Sequence, residues 1–507
     1  MKKYILAHDL GTSGNKATLF DLDGNLINST VYSYELITGK GNTAEQKADD
    51  WWRAVCETSK LLALTVDKKD IAAVSFSGQM MGCLCVDKNG NPLHNALIWA
   101  DMRSEKQAEQ ISDRIDPHSF YNITGHRISA SYSLTKLMWI RDNLPGVYKN
   151  TYKMLNAKDY IILKLTGKFV TEPSDASSTC LLDLNTLNWS DDIIRISGLD
   201  KEKLPDIIRS ADIAGGITEE AAKLMGLCAG TPVVCGGGDG CCAAVGTGVV
   251  KEGRANCCLG TSSWISLAAK SPIKDKEMAV FNFAHTVPGY IMPCGTMQTG
   301  GGALSWAVNN AFFKSDKNTE DNKNMIYGTV NKEVGLSPVG ANNLLFLPYL
   351  IGERSPRWNP KAKGSFIGLT VNHTRGDMLR AVMEGVGYNL DIILNIFKNN
   401  GNKIDELTLT GGGARNSVWA EILCDIFGLP VSVPKRLEEA TSMGAAITAA
   451  VGIGALKSFD EADRFLAVNS RITPNKDNSV KYDKMKILFD EAYQALEPLF
   501  EKFKRSH

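Results

Sequence analysis

The sequence predicts an α/β protein built from two copies of one domain, and three observations lead there. A chain of 507 residues exceeds what one hydrophobic core holds, at roughly 150 residues per domain. The stretch Leu10-Gly11-Thr12-Ser13 returns as Leu259-Gly260-Thr261-Ser262, each time between two apolar runs. The segments Thr231 to Gly246 and Leu407 to Gly428 each read as a β-branched run, three glycines and a helix-like segment. The first half spends residues 10 to 236 between these features and the second residues 260 to 411, so the first copy carries about 75 additional residues, available for a substrate. The competing reading is two unrelated α/β domains that each use glycine turns. Two copies facing each other would enclose a cleft lined by loops at strand ends, where α/β folds bind ligands.

Taken in order, Tyr4 to Ala7 is apolar, Gly11 to Gly14 is a tight turn, Lys16 to Phe20 is apolar again, and Asp23-Gly24-Asn25 closes the stretch. This reads as strand, turn, strand, turn, strand. The apolar run stops at His8-Asp9, too short for a signal peptide. His8 itself is expected as a packed strand residue, and Trp51-Trp52 as core anchors. The small-residue segment Ser442 to Leu456 falls short of a membrane span and reads as a close-packed helix, with Glu438 and Glu439 favouring its N-terminus. The polar stretch Lys314 to Asn324 reads as solvated loop, and Arg354 and Arg357 as cleft or interface residues; a homodimer is left open. The 56 basic residues balance 56 acidic ones, which gives no electrostatic footprint for nucleic acid or an anionic membrane. Of the twelve cysteines six fall as the neighbours Cys241-Cys242 and Cys257-Cys258 or as Cys83-Leu84-Cys85, and none has the Cys-x-x-Cys spacing of a zinc site, so a reduced, cytoplasmic setting is expected.

The chemistry concentrates at the glycine turns. Backbone N–H groups of a Gly-Thr-Ser turn can approach phosphate oxygens because glycine lacks a Cβ, and the hydroxyls add donors. Gly411-Gly412-Gly413 precedes a helix starting near Asn416 and offers close approach to a flat or anionic ligand. Asp9 and Asp239 each follow an apolar strand run and sit among glycines. A Mg²⁺ bridging Asp9 to phosphates would explain an acidic residue at the mouth of a phosphate loop, with Asp239 as the base beside an attacking hydroxyl. The alternative for either residue is a carboxylate that stabilises its own turn.

The chain resembles the FGGY carbohydrate kinases over nearly its whole length, most closely in the xylulokinase pattern. The resemblance is carried by Asp9-Leu10-Gly11-Thr12-Ser13, Glu45-Gln46 before Trp51-Trp52, Ser77-Gly78-Gln79-Met80, and Trp99-Ala100-Asp101-Met102-Arg103. It continues through Thr124-Gly125, Lys136-Leu137 with Trp139, Ser174-Asp175-Ala176-Ser177 with Leu182-Asp183, Gly236-Gly237-Gly238-Asp239, and Leu259-Gly260-Thr261-Ser262. Gly364 to Leu369, then Asp377-Met378 and Ala381 to Glu384, and Gly411 to Arg415 complete it. The resemblance implies two domains of the actin/hexokinase/Hsp70 ATPase fold (RNase H-like), residues 1–247 holding sugar and 248–507 holding ATP. It implies Asp239 as catalytic base, and Asp9 with Asp239 near Mg²⁺. Gln79, Met80, Met81, Trp99, Asp101 and Asp239 would face the sugar. Gly11, Thr12, Ser13, Lys16, Gly260, Thr261, Ser262, Gly412, Gly413, Arg415 and Asn416 would serve the nucleotide.

Two departures bear on the substrate. The xylulokinase pattern has histidine where this chain has Met81, and asparagine where it has Gly240. Both remove hydrogen-bonding groups beside the sugar, so the expected reaction, D-xylulose to D-xylulose 5-phosphate, is safer in its chemistry than in its sugar. Another ketose, a polyol or an aldonate, such as ribulose, erythritol or gluconate, is the alternative, and a sugar-sensing protein without catalysis stands behind both.

Overall fold

The computed structural model of the chain describes residues 3–39, 41–313 and 320–503. The expected polar loop from Lys314 to Asn324 lies outside the residues whose side chains are described. The chain divides into two compact units. Unit 1 holds Met1–Lys251, Ala268–Pro293 and Glu439–Ala467, and unit 2 holds Glu252–Leu267, Cys294–Glu438 and Val468–His507.

Unit 1 is built on six strands: β1 (Tyr4–Leu10), β2 (Gly14–Asp21), β3 (Leu26–Ser33), β4 (Ile71–Gly78), β5 (Ile213–Gly216) and β6 (Pro232–Gly238). Their order is β5-β6-β4-β1-β2-β3. The first three form the antiparallel meander expected from the sequence, while β4 lies parallel to β1 and β6. Every residue of β4 is buried, as a parallel strand covered on both faces requires. The helix Ala48–Ala63 makes the crossover from the meander to β4 and buries Trp51, whose indole N–H donates to Gln46 (3.0 Å). His8 is a packed strand residue. It stacks on Phe76 and meets Asn15 and Ser59 through its ring nitrogens, and burial drives its pKa down to about 3.

Six of the seven strands of the second sheet are β7 (Gly253–Leu259), β8 (Ser263–Leu267), β9 (Ile291–Met297, of which unit 2 holds Cys294–Met297), β10 (Ile404–Thr410), β11 (Val431–Pro434) and β12 (Val468–Ile472). They run consecutively as β9-β8-β7-β10-β11-β12. An antiparallel meander again leads into two parallel neighbours and an antiparallel edge. Over these six strands the sequence of orientations matches that of unit 1, which is the duplication.

The topology corrects one expected correspondence. In unit 1 the three glycines end β6, the second strand beyond β1; in unit 2 they follow β10, the first strand beyond β7. The counterpart of β6 is β11, and that of β10 is β4. Three glycines between strand and helix are a general answer to close backbone approach, so they arise at two positions of one fold. The inserted residues move accordingly. In the first copy they lie between Gly78 and Pro232, and in the second between Met297 and Ile404.

The small-residue segment forms the helix Ala440–Gly452 and packs within unit 1 on the helix Asp239–Gly246. Contact is so close that a Cβ on Gly444 would stand 1.9 Å from the Cys242 carbonyl oxygen, and one on Gly246 1.9 Å from that of Ala440. Among the described residues no helix is long and apolar enough to cross a membrane.

Candidate active site

Three parallel strands bring the first cluster together at their carboxyl ends. Asp9 on β1 pairs in register with Ser77 on β4, and Ser77 with Gly237 on β6. The Asp9 carboxylate accepts from Ser77 Oγ (3.1 Å) and from Thr441 Oγ1 (2.6 Å). Burial raises its pKa against the pull of these hydroxyls and of Lys16. Lys16 itself is held by Glu439 at 2.5 Å. Asp239 opens the helix that follows β6. Burial, and then the negative charge of Asp9, push its carboxyl up to about 7, with the Gly240 N–H (2.7 Å) pulling the other way.

The glycines before Asp239 have a packing cause. Gly236 holds φ +78° and a Cβ there would lie 1.9 Å from the Phe76 carbonyl oxygen. A Cβ on Gly237 would meet Thr286 at 2.3 Å, and one on Gly238 the Met80 sulfur at 2.6 Å. Bare backbone lets β6 lie against β4 and brings Asp239 beside the loop that leaves β4.

That loop carries Gln79, Met80 and Met81. Gln79 is buried; its Nε2 donates to Gln46 Oε1 (2.7 Å), and its own Oε1 is buried with no hydrogen-bond partner among the described residues. Gln46 in turn donates to the Thr12 carbonyl (2.6 Å), and the Trp99 indole N–H donates to Thr12 Oγ1 (2.9 Å). The turn Gly11-Thr12-Ser13, expected to serve the nucleotide, is thus tied to Gln46, Gln79 and Trp99, three residues of the expected sugar side or next to it. Trp99 leaves 43% of its surface exposed. Asp101 is fully buried and accepts from Arg103 (2.7 Å) and the Ala44 N–H (2.7 Å); Arg103 also pairs with Glu45 (2.7 Å) and lies over Trp139. The Asp101 carboxylate is thus taken up by Arg103 and the backbone of Ala44. Met81 has φ 64°, its N–H bound to Ser178 Oγ (3.1 Å) and its carbonyl to Lys136 Nζ (2.9 Å).

Unit 2 contains a cavity of about 730 Å³ lined by Gly260, Thr261, Gly412, Gly413, Arg415 and Asn416, six of the residues expected to hold nucleotide. The helix expected to start near Asn416 is Ser417–Phe427; Asn416 caps it by accepting from the Trp419 N–H and donates to Asn331 at 2.6 Å. Gly412 faces open space, whereas its neighbours are fixed: Gly411 by φ +81°, Gly413 by Leu259, which a Cβ would meet at 2.5 Å. Arg415 pairs with Glu438. Sequence reasoning missed Gly301, Leu304, Tyr327 and Asn331 of the lining, and Thr441 and Ser178 in unit 1. Gln298-Thr299-Gly300-Gly301-Gly302 carried a signal, since a third triple glycine marks another close approach: a Cβ on Gly301 would stand 2.6 Å from the Gly260 carbonyl oxygen.

Two family models match, the N-terminal domain of the FGGY family of carbohydrate kinases over residues 4–246 and its C-terminal domain over 255–453. The chain is 32% identical to a xylulose kinase of Staphylococcus xylosus over 491 residues, 97% of this chain and 99% of that protein. It is also 32% identical to a gluconokinase of Bacillus subtilis, covering 98% of this chain and 97% of the relative. The crystal structure of ligand-bound xylulose kinase from Lactobacillus acidophilus matches with a TM-score of 0.91 at 29% identity, over 99% of this chain and all of that one. With a duplicated ATPase fold, paired carboxylates at the strand ends of one unit and a glycine-lined cavity in the other, the chain belongs to the FGGY family of carbohydrate kinases and is an ATP-dependent sugar kinase.

Proposed function

We propose that the chain phosphorylates a terminal hydroxyl of a small neutral ketose, D-xylulose first, with Asp239 as general base. The observation that carries this is the Asp239 carboxyl, lifted to about 7 by burial and by Asp9. A base with that pKa is ionised enough at neutral pH to act and basic enough to take a hydroxyl proton. Asp239 takes the proton as the hydroxyl attacks, and the unpartnered Gln79 Oε1 accepts from a second hydroxyl of the sugar. In unit 2 the Gly412-Gly413 side of the cavity takes the adenosine, while the Gly260-Thr261 turn directs its N–H groups at phosphate oxygens. The donor set suits Mg²⁺: hard carboxylate oxygens, with Asp9 raising the pKa of Asp239 by like charge that a cation relieves. Asp9, with Asp239, would hold it, and it would neutralise charge on the phosphoryl group in transfer.

Relatives named xylulose kinase support D-xylulose, and the gluconokinase likeness makes gluconate the second reading. Electrostatics favours the neutral sugar. Arg103, the cation nearest the Asp101 motif, is already matched to Asp101 and Glu45, so a carboxylate substrate would compete with two fixed carboxylates.

A coupled ADP-release assay over pentuloses, hexuloses, polyols and aldonates tests both parts. The highest kcat/KM is expected on D-xylulose, with an acid limb below pH 7 because protonated Asp239 is inactive as a base and Mg²⁺ relieves the part of its raised pKa that is due to Asp9. Asp239→Asn should lower kcat by about 10²–10⁴ and leave the fold and nucleotide binding nearly intact. Highest efficiency on gluconate would overturn the substrate, and near-normal turnover of the variant would overturn the base.

A further inference from the structure

One helical turn, Pro173–Ser177, with Ser178 after it, reaches both loops that shape the sugar side of unit 1. It is anchored at Glu172, which is fully buried and accepts the N–H groups of Ser174 (2.9 Å) and Asp175 (2.7 Å) and the hydroxyls of Ser174 and Ser210 (2.6 Å each). A serine hydroxyl has one proton and two lone pairs. Ser174 gives its proton to Glu172, so its oxygen is left to accept, and its donor is the Gly238 N–H at 3.0 Å. Gly238 is the residue directly before Asp239. Four residues on, Ser178 gives its proton to the Asp175 carbonyl (2.7 Å) and accepts the Met81 N–H (3.1 Å). In both cases the proton points into the turn and the lone pair points out at a loop.

The two loops need such fixed points. Gly238 lies just past a register shift between β4 and β6, at Val234 to Gly237. Met81 sits in the left-handed region, which a methionine rarely adopts unaided, and Lys136 holds its carbonyl from the other side. Both serine hydroxyls are already committed, each giving its proton inside the turn and accepting a backbone N–H, so neither is left to a sugar as a direct ligand.

We infer that Ser174 and Ser178 are positioning residues with divided duties: Ser174 sets the place of Asp239 for phosphoryl transfer, and Ser178 sets Met81 for choice of sugar. The inference rests on reading Asp239 as the base and Met81 as a sugar neighbour. Each serine removed leaves one buried N–H without an acceptor, and loss of Ser174 also takes a hydroxyl donor from the buried Glu172 carboxylate, so the fold loses more there. A merely structural role would therefore lower the melting temperature, more at Ser174, and leave kcat and KM of the folded enzyme unchanged.

The test is full steady-state kinetics of Ser174→Ala and Ser178→Ala on D-xylulose and the next best sugar, with Ser→Cys at each position as a near-isosteric second pair that accepts poorly. Ser174→Ala should lower kcat about tenfold on every sugar, with KM and the ratio between sugars unchanged within about twofold. Ser178→Ala should raise KM and move that ratio severalfold, with kcat kept within about threefold. The cysteine pair should divide the same way. Folded variants that lose kcat and KM in equal proportion at both positions, or that change nothing, overturn the inference. Asp239→Asn measured alongside separates the two failures. If it keeps turnover, the base assignment falls and the duty given to Ser174 with it; if it is dead and the serines do not divide, the inference alone is wrong.

Discussion

Met81 and Gly240 sit where the chain leaves the xylulokinase pattern, and the backbone says different things about each. At φ 64° Met81 occupies a region in which histidine, the residue of that pattern, is several-fold enriched, so Met81→His fits the existing backbone. Gly240 has no positive φ, and a Cβ there would meet only the Met292 methyl at 3.7 Å, an ordinary contact. Gly240→Asn therefore places an amide beside Asp239 without straining the turn. One regained hydrogen bond is worth roughly 0.5–1.5 kcal/mol, so each variant should raise kcat/KM for D-xylulose relative to the best other sugar by about two- to tenfold. Ratios that stay put in both folded variants would show that these positions do not set specificity. The carboxylates themselves are legible in the sequence, because an acid that ends an apolar strand run among glycines has few other reasons to be there. Thr441, bonded to Asp9 across 432 residues of chain, is legible only once the fold exists.

Among the elements, local pattern carried the opening meander, the helix start near Asn416 and the close-packed helix Ala440–Gly452, each of which depends on neighbours in sequence. It did not carry the pairing of the two triple glycines, because which strand is equivalent to which is a property of the sheet order. The helix pair Asp239–Gly246 and Ala440–Gly452 is where an element bears directly on the site, since the first residue of one helix is the proposed base. Gly444 is helical, so by propensity alone an alanine would stabilise it by up to about 1 kcal/mol. Packing decides otherwise. With the Cys242 carbonyl oxygen 1.9 Å from the added Cβ, the helices must part, and overpacking of this kind costs typically 1–3 kcal/mol. Gly444→Ala is expected to lower the urea midpoint and to lower kcat with it, as the start of the Asp239 helix shifts. An unchanged or raised midpoint would mean that the two helices separate freely, and the tight packing assigned to them would be wrong.

At the scale of the whole molecule two copies of one sheet carry different features, the carboxylates in unit 1 and the glycine-lined cavity in unit 2, and the proposed function divides the work between them accordingly. Six expected nucleotide residues line that cavity, whereas Tyr327 and Asn331 come from the helix Glu320–Leu336, which follows a polar stretch and bears no motif. Gly412 gives a way to test the division. Its neighbours Gly411 and Gly413 cannot take a side chain, but Gly412 lacks a positive φ and an added Cβ meets nothing within 4 Å. A leucine there would grow into the cavity and leave the surrounding backbone as it is. Gly412→Leu should therefore weaken ATP about tenfold or more, removing about 1.4 kcal/mol or more of the stabilisation that ATP gives at a fixed concentration. The melting temperature without ligand, and the rise produced by the sugar alone, should match those of the parent. Thermal shift with each ligand separately reads all three quantities. An ATP response equal to the parent's would place the nucleotide elsewhere, and loss of the sugar response together with that of ATP would show that the two units do not divide the binding.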